Sequence, residues 1–204
     1  TQFEAQLFLF ESMKHEFEDF DKVKDVKLQF WSSKAQIEKK SWGAITLQSA
    51  LKKSVIKNKA FAWSLSLAQE LVERLEIPAD RVRYRQHHDD EKAFYSNDTW
   101  DLEFKTDSFG WVEIAGISDR NDYDLIQHSK ASGQKLKADG ETPHIIELAF
   151  GSDRIVYSLI DIFLDEEKVG NDMRVIWRIP KELAPVRFAV FPLQNKDGLP
   201  EKAR

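Results

Sequence analysis

Val82-Arg83-Tyr84-Arg85-Gln86-His87, then Asp98-Thr99-Trp100-Asp101-Leu102-Glu103-Phe104, then Phe109-Gly110-Trp111-Val112-Glu113-Ile114-Ala115-Gly116-Ile117 follow one another along the chain. The first run alternates polar and apolar side chains, the period-two pattern of a half-buried strand. The other two are rich in the aromatic and β-branched residues that fit a pleated surface. Parallel neighbours need a long crossover, usually a helix, and no helical pattern separates these runs. The stretch therefore reads as mostly antiparallel sheet, and the chain as an α+β fold.

C-terminal to this sheet, residues 118–125 form a polar turn leading into a helix around residues 126–130. Pro143-His144-Ile145-Ile146-Glu147-Leu148-Ala149-Phe150 is an apolar strand carrying one carboxylate, and Gly151-Ser152-Asp153-Arg154 turns it into an amphipathic helix. Burying Glu147 unpaired would be costly. Gly151 permits a close backbone approach. Arg154 presents a planar fork suited to a phosphate or a base. The segment is either a nucleotide and small-substrate site or a core strand and helix with a surface ion pair.

On the N-terminal side, residues 61–76 place Leu65, Ala68, Leu71, Val72 and Leu75 at helical spacing, and Pro78 ends the helix. Residues 27–31 are a short strand candidate, and a helix is expected from about Thr46. Residues 21–80 together read as a helical insert, whose lysines are either a solvated face or a nucleic-acid patch. Thr1-Gln2-Phe3-Glu4-Ala5-Gln6-Leu7-Phe8-Leu9-Phe10 is a strand, expected to be buried on both sides near Phe8 and Phe10. Val186-Arg187-Phe188-Ala189-Val190-Phe191-Pro192-Leu193 reads as another strand, and residues 200–204 as the first turn of a helix. A strand and a helix start with nothing to pack on imply a piece of a longer protein.

Composition narrows the chemistry. The 204 residues suffice for a real core, and the net charge of −5 argues against a chain dominated by nucleic-acid contact. The absence of cysteine excludes disulfides, thiolate zinc sites and a cysteine nucleophile. No apolar run is long enough for a membrane helix and no signal-peptide pattern opens the chain, so the expected location is cytoplasmic. His87 and His88, beside Asp89, Asp90 and Glu91, would point to opposite faces of a strand and make a poor chelate. Ser118, Asp122 and His128 lack a nucleophile elbow. No glycine-rich phosphate loop occurs. Three acids on separate strands (Glu4, Glu113, Glu147) and two arginines in turns (Arg120, Arg154) remain. Acids can hold an ammonium group or Mg²⁺, and arginines a carboxylate or a phosphate. An amino acid together with ATP wants that mixture.

Four blocks carry a family resemblance. Arg83-Tyr84-Arg85-Gln86-His87 with Asp90-Glu91-Lys92-Ala93-Phe94-Tyr95 and Asp98-Thr99-Trp100-Asp101 resembles a block of homodimeric class II glycyl-tRNA synthetases. Residues 111–125 are similar to the segment that follows there. Residues 143–154 resemble motif 3, and residues 183–200 the entry to the anticodon-binding domain. Thr1-Gln2-Phe3-Glu4 resembles the strand leaving motif 2.

The resemblance implies an antiparallel class II sheet flanked by helices. Residues 1–20 would be core strand, 21–80 the insert, 81–180 catalytic core with motif 3, and 181–204 the start of an α/β anticodon-binding domain. It implies glycine, ATP with Mg²⁺, and the tRNA for glycine as ligands, and a homodimeric parent enzyme. Carried over by position, Thr1, Gln2, Phe3, Glu4, Arg120, Glu147, Leu148, Ala149, Phe150 and Gly151 would border glycine, with Glu4 facing its ammonium group. Glu113, Ile114, Gly151, Ser152, Asp153 and Arg154 would border ATP, with Glu113 also a Mg²⁺ contact. No residue would serve as a covalent nucleophile.

The chain also departs from the pattern. Glu147-Leu148-Ala149 stands where the family usually has Glu-Pro-Ser, and Lys92 and Phe94 where it has Met and His. Motif 1, the motif 2 arginine and most of the anticodon domain have no counterpart in the 204 residues, so the piece alone is expected to be inactive. Two alternatives are another class II synthetase and a non-catalytic accessory module on the same fold.

Overall fold

The computed structural model describes residues 1–203 and divides the chain into two compact units, Thr1–Ile162 and a second beginning at Phe163. The first is built on a seven-stranded sheet. Its strands are β1 (Gln2–Leu9), β2 (Lys27–Trp31), β3 (Gly43–Thr46), β4 (Val82–Gln86), β5 (Asp98–Thr106), β6 (Gly110–Asn121) and β7 (His144–Gly151), in the order β1-β7-β6-β5-β4-β2-β3. All neighbours are antiparallel except β2 and β4.

Helices α1 (Glu11–His15), α2 (Phe20–Val23), α3 (Ser33–Ile37), α4 (Leu47–Lys52) and α5 (Lys59–Arg74) precede β4, while α6 (Tyr123–Ser132) and α7 (Ser152–Phe163) follow β6 and β7. The long helix α5 is the organiser. The Asn58 side chain accepts from the Phe61 N–H at 2.8 Å and satisfies one of the donors that a helix start leaves open. Glu76, with φ +52°, turns the chain out of the helix ahead of Pro78. Phe61, Leu65, Ala68 and Val72 are buried. Full burial of a Phe or a Leu is worth roughly 1.5–3 kcal/mol. The helix packs on β6 and β7, beneath a sheet face made of Tyr84, Trp100, Leu102, Phe104, Ile117, Ile146 and Leu148, all buried.

The structure corrects several expectations. Residues 21–80, expected as a helical insert, contain two strands besides their helices and supply β2, β3 and α5 to the sheet and core of the first unit. The division of the chain falls at Ile162/Phe163, inside the expected 81–180 segment. The polar turn at residue 118 is still strand, because Ser118 pairs with Thr99 and Asp119 with Asp98 before β6 ends. Among the described residues β1 is an edge strand paired with β7, so the burial on both sides expected near Phe8 and Phe10 is not found: Phe8 is about half exposed and Phe10 only partly buried.

The second unit holds the hairpin β8 (Leu164–Val169) and β9 (Asp172–Trp177), which was not anticipated. Gly170 has φ +66°, as the first position of a two-residue hairpin turn requires. Arg178 reaches Asp165 and Glu167 on its outer surface. Residues 186–193 are irregular and exposed, since no described strand pairs with them. A short helix α8 (Leu199–Lys202) carries proline in its first turn; of the helical turn expected over residues 200–204, Arg204 lies outside the described residues.

Candidate functional site

The face of the sheet opposite α5 is polar. Alternation along β1 and β7 puts Gln2, Glu4 and Gln6 opposite Gly151, Ala149 and Glu147 on that face. On β4 and β5 the same face carries Arg83, Arg85, Asp101 and Glu103. Strict alternation would send Glu113 and Arg120 of β6 to opposite faces. A register shift beside Ile114 corrects this: Glu113 pairs with Glu103 and Ala115 with Leu102, leaving Ile114 as the extra residue. A bulge of this kind re-aims the side chains next to it.

At one end of the face Arg120 and Glu147 meet. Arg120 Nη1 donates to Glu147 Oε1 at 3.1 Å, and Gln6 Nε2 donates to Glu147 Oε2 at 2.9 Å. The Arg120 fork also grips Asp124 of α6 through Nε at 2.5 Å and Nη2 at 3.0 Å, and Nη2 donates to the Tyr95 hydroxyl at 3.2 Å. The Asp124 hydrogen bonds raise the arginine's pKa and keep it charged against the cost of burial. Tyr95 stacks on Tyr123 at 4.6 Å, with Phe94 edge-on to both.

Further along the face lies a cavity of about 650 Å³ lined by residues that include Gln2, Glu113, Ala149, Gly151 and Arg154. Arg154 Nη1 donates to Glu113 Oε2 at 2.9 Å and to the Glu113 carbonyl at 3.0 Å. At Gly151 an added Cβ would stand 3.3 Å from Arg154 Cδ, close enough that the arginine side chain would have to shift by a few tenths of an ångström. Glu113, Asp153 and Arg154 are shared with an adjoining aromatic groove of about 630 Å³ that contains Phe109, Trp111 and Tyr157.

Behind these two sites runs a ladder of alternating charges. Arg83 pairs with Glu103 at 2.5 Å, Arg85 with Glu103, Asp101 and Glu91, and His87 Nε2 with Asp101 at 2.8 Å. The Arg85 hydrogen bond holds the Glu91 carboxyl down at about 2. Burial acts to lower the His87 pKa, but the Asp101 bond and the Asp101 and Glu91 charges outweigh it, so the net shift is upward. The Arg83 guanidinium lies 4.2 Å from the Trp31 ring and 4.1 Å from Trp111, with Trp42 at 5.2 Å.

Of the residues expected at the site, Gln2, Glu4, Arg120, Glu147, Ala149, Gly151, Glu113 and Arg154 share the polar face. Thr1 and Asp153 line the cavity, and Ser152 Oγ donates to the Thr1 carbonyl at 2.8 Å. Ile114 also borders the cavity, although its side chain is buried. Phe3, Leu148 and Phe150 point their side chains to the other face, Leu148 into the core, and only their backbone is available to a ligand. His87 is turned onto Asp101, and the Ser118 hydroxyl lies 3.2 Å from Thr99 Oγ1, so neither the histidine pair nor the serine triad forms. No group of three or more metal-ligating side chains is assembled among the described residues.

The sequence reading missed Gln6, Asp124 and Tyr95 as partners of Arg120 and Glu147. For Gln6 the signal was present, two residues from Glu4 on the same strand face. The tryptophans around Arg83 are spread over the sequence, and only the pairing of β2 with β4 unites them.

No protein-family model matches the chain. It is similar over its whole length to curated proteins named glycine–tRNA ligase. One from Thermococcus kodakarensis is 29% identical over 280 aligned positions, covering 98% of this chain and 48% of the relative. One from Methanothrix thermoacetophila is 28% identical, covering 100% of this chain and 48% of the relative. One from Methanococcus maripaludis is 26% identical, covering 100% and 50%. The chain thus spans about half the length of the curated relatives it matches.

Proposed function

We propose that this chain is part of a glycine–tRNA ligase, and that the polar sheet face is where glycine and ATP react. The observation that carries the reading is the gathering of Glu4, Glu147, Arg120, Glu113 and Arg154 from four elements onto one face, in a chain similar throughout to proteins of that name. In the first step the glycine carboxylate attacks the α-phosphorus of ATP and pyrophosphate leaves. In the second the glycyl group passes to the terminal ribose of the tRNA. The nucleophile is the substrate itself, so the protein's work is positioning and charge stabilisation.

Glu147 and Glu4 supply negative charge for the ammonium group of glycine, and Arg120 supplies the positive charge near its carboxylate. Gln6 and Asp124 fix those two groups in place. Gly151 leaves room for Arg154 beside the cavity, where its fork meets phosphate or base. Mg²⁺ prefers one or two carboxylates plus substrate phosphates and keeps several waters. Glu113, half-exposed on the cavity wall with Arg154 on one oxygen, suits such a partial donor set. The metal would neutralise phosphate charge there. The parent enzyme is read as a cytoplasmic homodimer, and no helix among the described residues is long and apolar enough to cross a membrane. Among the described residues, Arg154 is the only guanidinium lining the cavity and it is already paired, so the 204-residue chain by itself is expected not to turn over.

The test is glycine-dependent ATP–pyrophosphate exchange by the full-length protein and its Glu147→Gln variant. A charge-assisted hydrogen bond contributes roughly 1.5–3 kcal/mol, so the variant should lose about ten- to a hundredfold in kcat/KM for glycine. Its ATP KM should be little changed. Exchange that ignores glycine, or a variant equal to the parent, refutes the proposal.

A further inference from the structure

The side of β6 that faces α5 carries a buried ion pair that none of the chemistry above uses. Lys14 of α1 and Asp119 of β6 lie 2.5 Å apart, with side chains 3% and 0% exposed. Two such charges leave water only at considerable cost, and a pair buried this fully is weak evidence for stability. Its surroundings point to another role.

Asp119 and Asn121 flank Arg120, and the β6–β7 register shifts between them: Asp119 faces Ile146 and Asn121 faces Ile145, leaving Arg120 as the extra residue. Arg120 therefore sits in a bulge, the device by which a strand redirects a side chain. Asn121 has φ +53°, the left-handed region that asparagine tolerates better than most residues. Lys14 Nζ donates to both flanks, to Asp119 Oδ1 at 2.5 Å and to Asn121 Oδ1 at 3.4 Å. Asp119 Oδ2 accepts from Asn58 Nδ2 at 3.1 Å, and Asn58 is also the residue that caps α5. Asn121 Nδ2 donates to the Tyr95 carbonyl at 3.1 Å, and the Tyr95 hydroxyl receives Arg120 on the opposite face. The network therefore ties the bulge to α1, α5 and the 87–97 connection.

We propose that Lys14 is a positioning residue: clamping Asp119 and Asn121 on the buried side of β6, it sets the bulge that aims Arg120 at Glu147. Lys14 never touches substrate. It acts through the backbone of residues 119–121, and its signature is loss of glycine recognition that outlasts the repair of stability. The glycine part rests on the function proposed above.

The experiment compares Lys14→Met, Asp119→Asn and the double variant Lys14→Met/Asp119→Asn in the full-length protein. Lys14→Met leaves a carboxylate buried without its cation and should lower the melting temperature markedly. The double variant removes both charges and should recover most of that loss. Its glycine KM should remain raised about tenfold, within the scale on which a misplacement of one ångström costs up to a hundredfold, while its ATP KM stays within about twofold. A glycine KM that returns to the parent value along with stability overturns the proposal. A crystal structure of the double variant decides independently of activity: Arg120 displaced from Glu147 supports the clamp, and an unchanged 3.1 Å contact refutes it. Should the unmodified protein show no glycine-dependent exchange, the glycine reading falls, and the crystal structure still decides what Lys14 does.

Discussion

Replacing Arg83 with methionine tests how the polar face is held together. Its side chain is 9% exposed, and its guanidinium donates to Glu103 at 2.5 Å and lies about 4 Å from two indole rings. Breaking a buried pair costs about 3–5 kcal/mol when the partner is left alone. Glu103 is not left alone, because Arg85 Nε stays at 3.3 Å, so roughly half that figure applies. Two desolvated cation–π contacts add about 1–2 kcal/mol between them. Methionine fills much of the same slot and returns some dispersion contact, which offsets part of the loss. The net cost is about 3 kcal/mol, a fall in melting temperature of roughly 6–12 °C for a unit of this size. Three of the six tryptophans surround Arg83, so indole emission during thermal unfolding reads the site directly. Arg83→Lys keeps the charge but loses the planar fork, and should fall about half as far. A methionine variant melting within about 2 °C of the parent would refute the reasoning, since neither the pair nor the ring contacts could then matter at these magnitudes.

Ala149→Ser places a hydroxyl on the cavity wall between Glu147 and Gly151, across from the open side of Gly116. One net hydrogen bond of about 1 kcal/mol would lower the glycine KM of the full-length protein about fivefold. An unchanged or raised KM would show that the serine of the family pattern has no place in this pocket. The raised pKa of His87 makes a pH prediction. Protonated His87 stabilises the fold fully below the unfolded value of about 6.5, and that contribution is lost as pH rises through the higher folded value. Urea unfolding from pH 5 to 8 should show stability falling with pH across that window, and His87→Asn should flatten the slope. A slope that survives the substitution assigns the effect to another group.

Local pattern carried much of this fold. The strands β4, β5 and β7 and the helix α5 all declare themselves by period or cap within a few residues, whereas the turn expected over residues 151–154 is absent because β7 passes at Gly151 directly into α7 at Ser152. What the sequence hid depends on long-range pairing. β2 and β3 look like part of a helical block until β2 is seen beside β4. Lys14 looks like one more surface lysine on a short helix, and nothing local marks it as the partner of an aspartate 105 positions away. The apolar alternation of residues 186–193 is sound as pattern, yet a strand exists only where another strand accepts its hydrogen bonds. The charges of the site were legible by elimination. Of their partners only Gln6 was legible, on the strand face it shares with Glu4, because Tyr95 and Asp124 reach Arg120 from other elements.

β6 shows why residue type alone could nominate the site but not build it. Glu113 and Arg120 are seven residues apart on one strand, and an odd separation on a regular strand puts two side chains on opposite faces. Without the extra residue at Ile114, Glu113 would face the core beneath the sheet, where an unpaired carboxylate would be expelled or would disrupt packing. With it, Ile114 and Ala115 are both buried, and Glu113 comes round to the face of Gly116 and the cavity. The second bulge, at Arg120, then turns a guanidinium toward Glu147 while Asp119 stays underneath with Lys14. Each bulge gives up regular ladder pairing and places one charged group in return. A strand with two such irregularities, one beside the cavity of about 650 Å³ and one beside the Arg120–Glu147 pair, departs from regular pairing at the two places where its charged side chains gather.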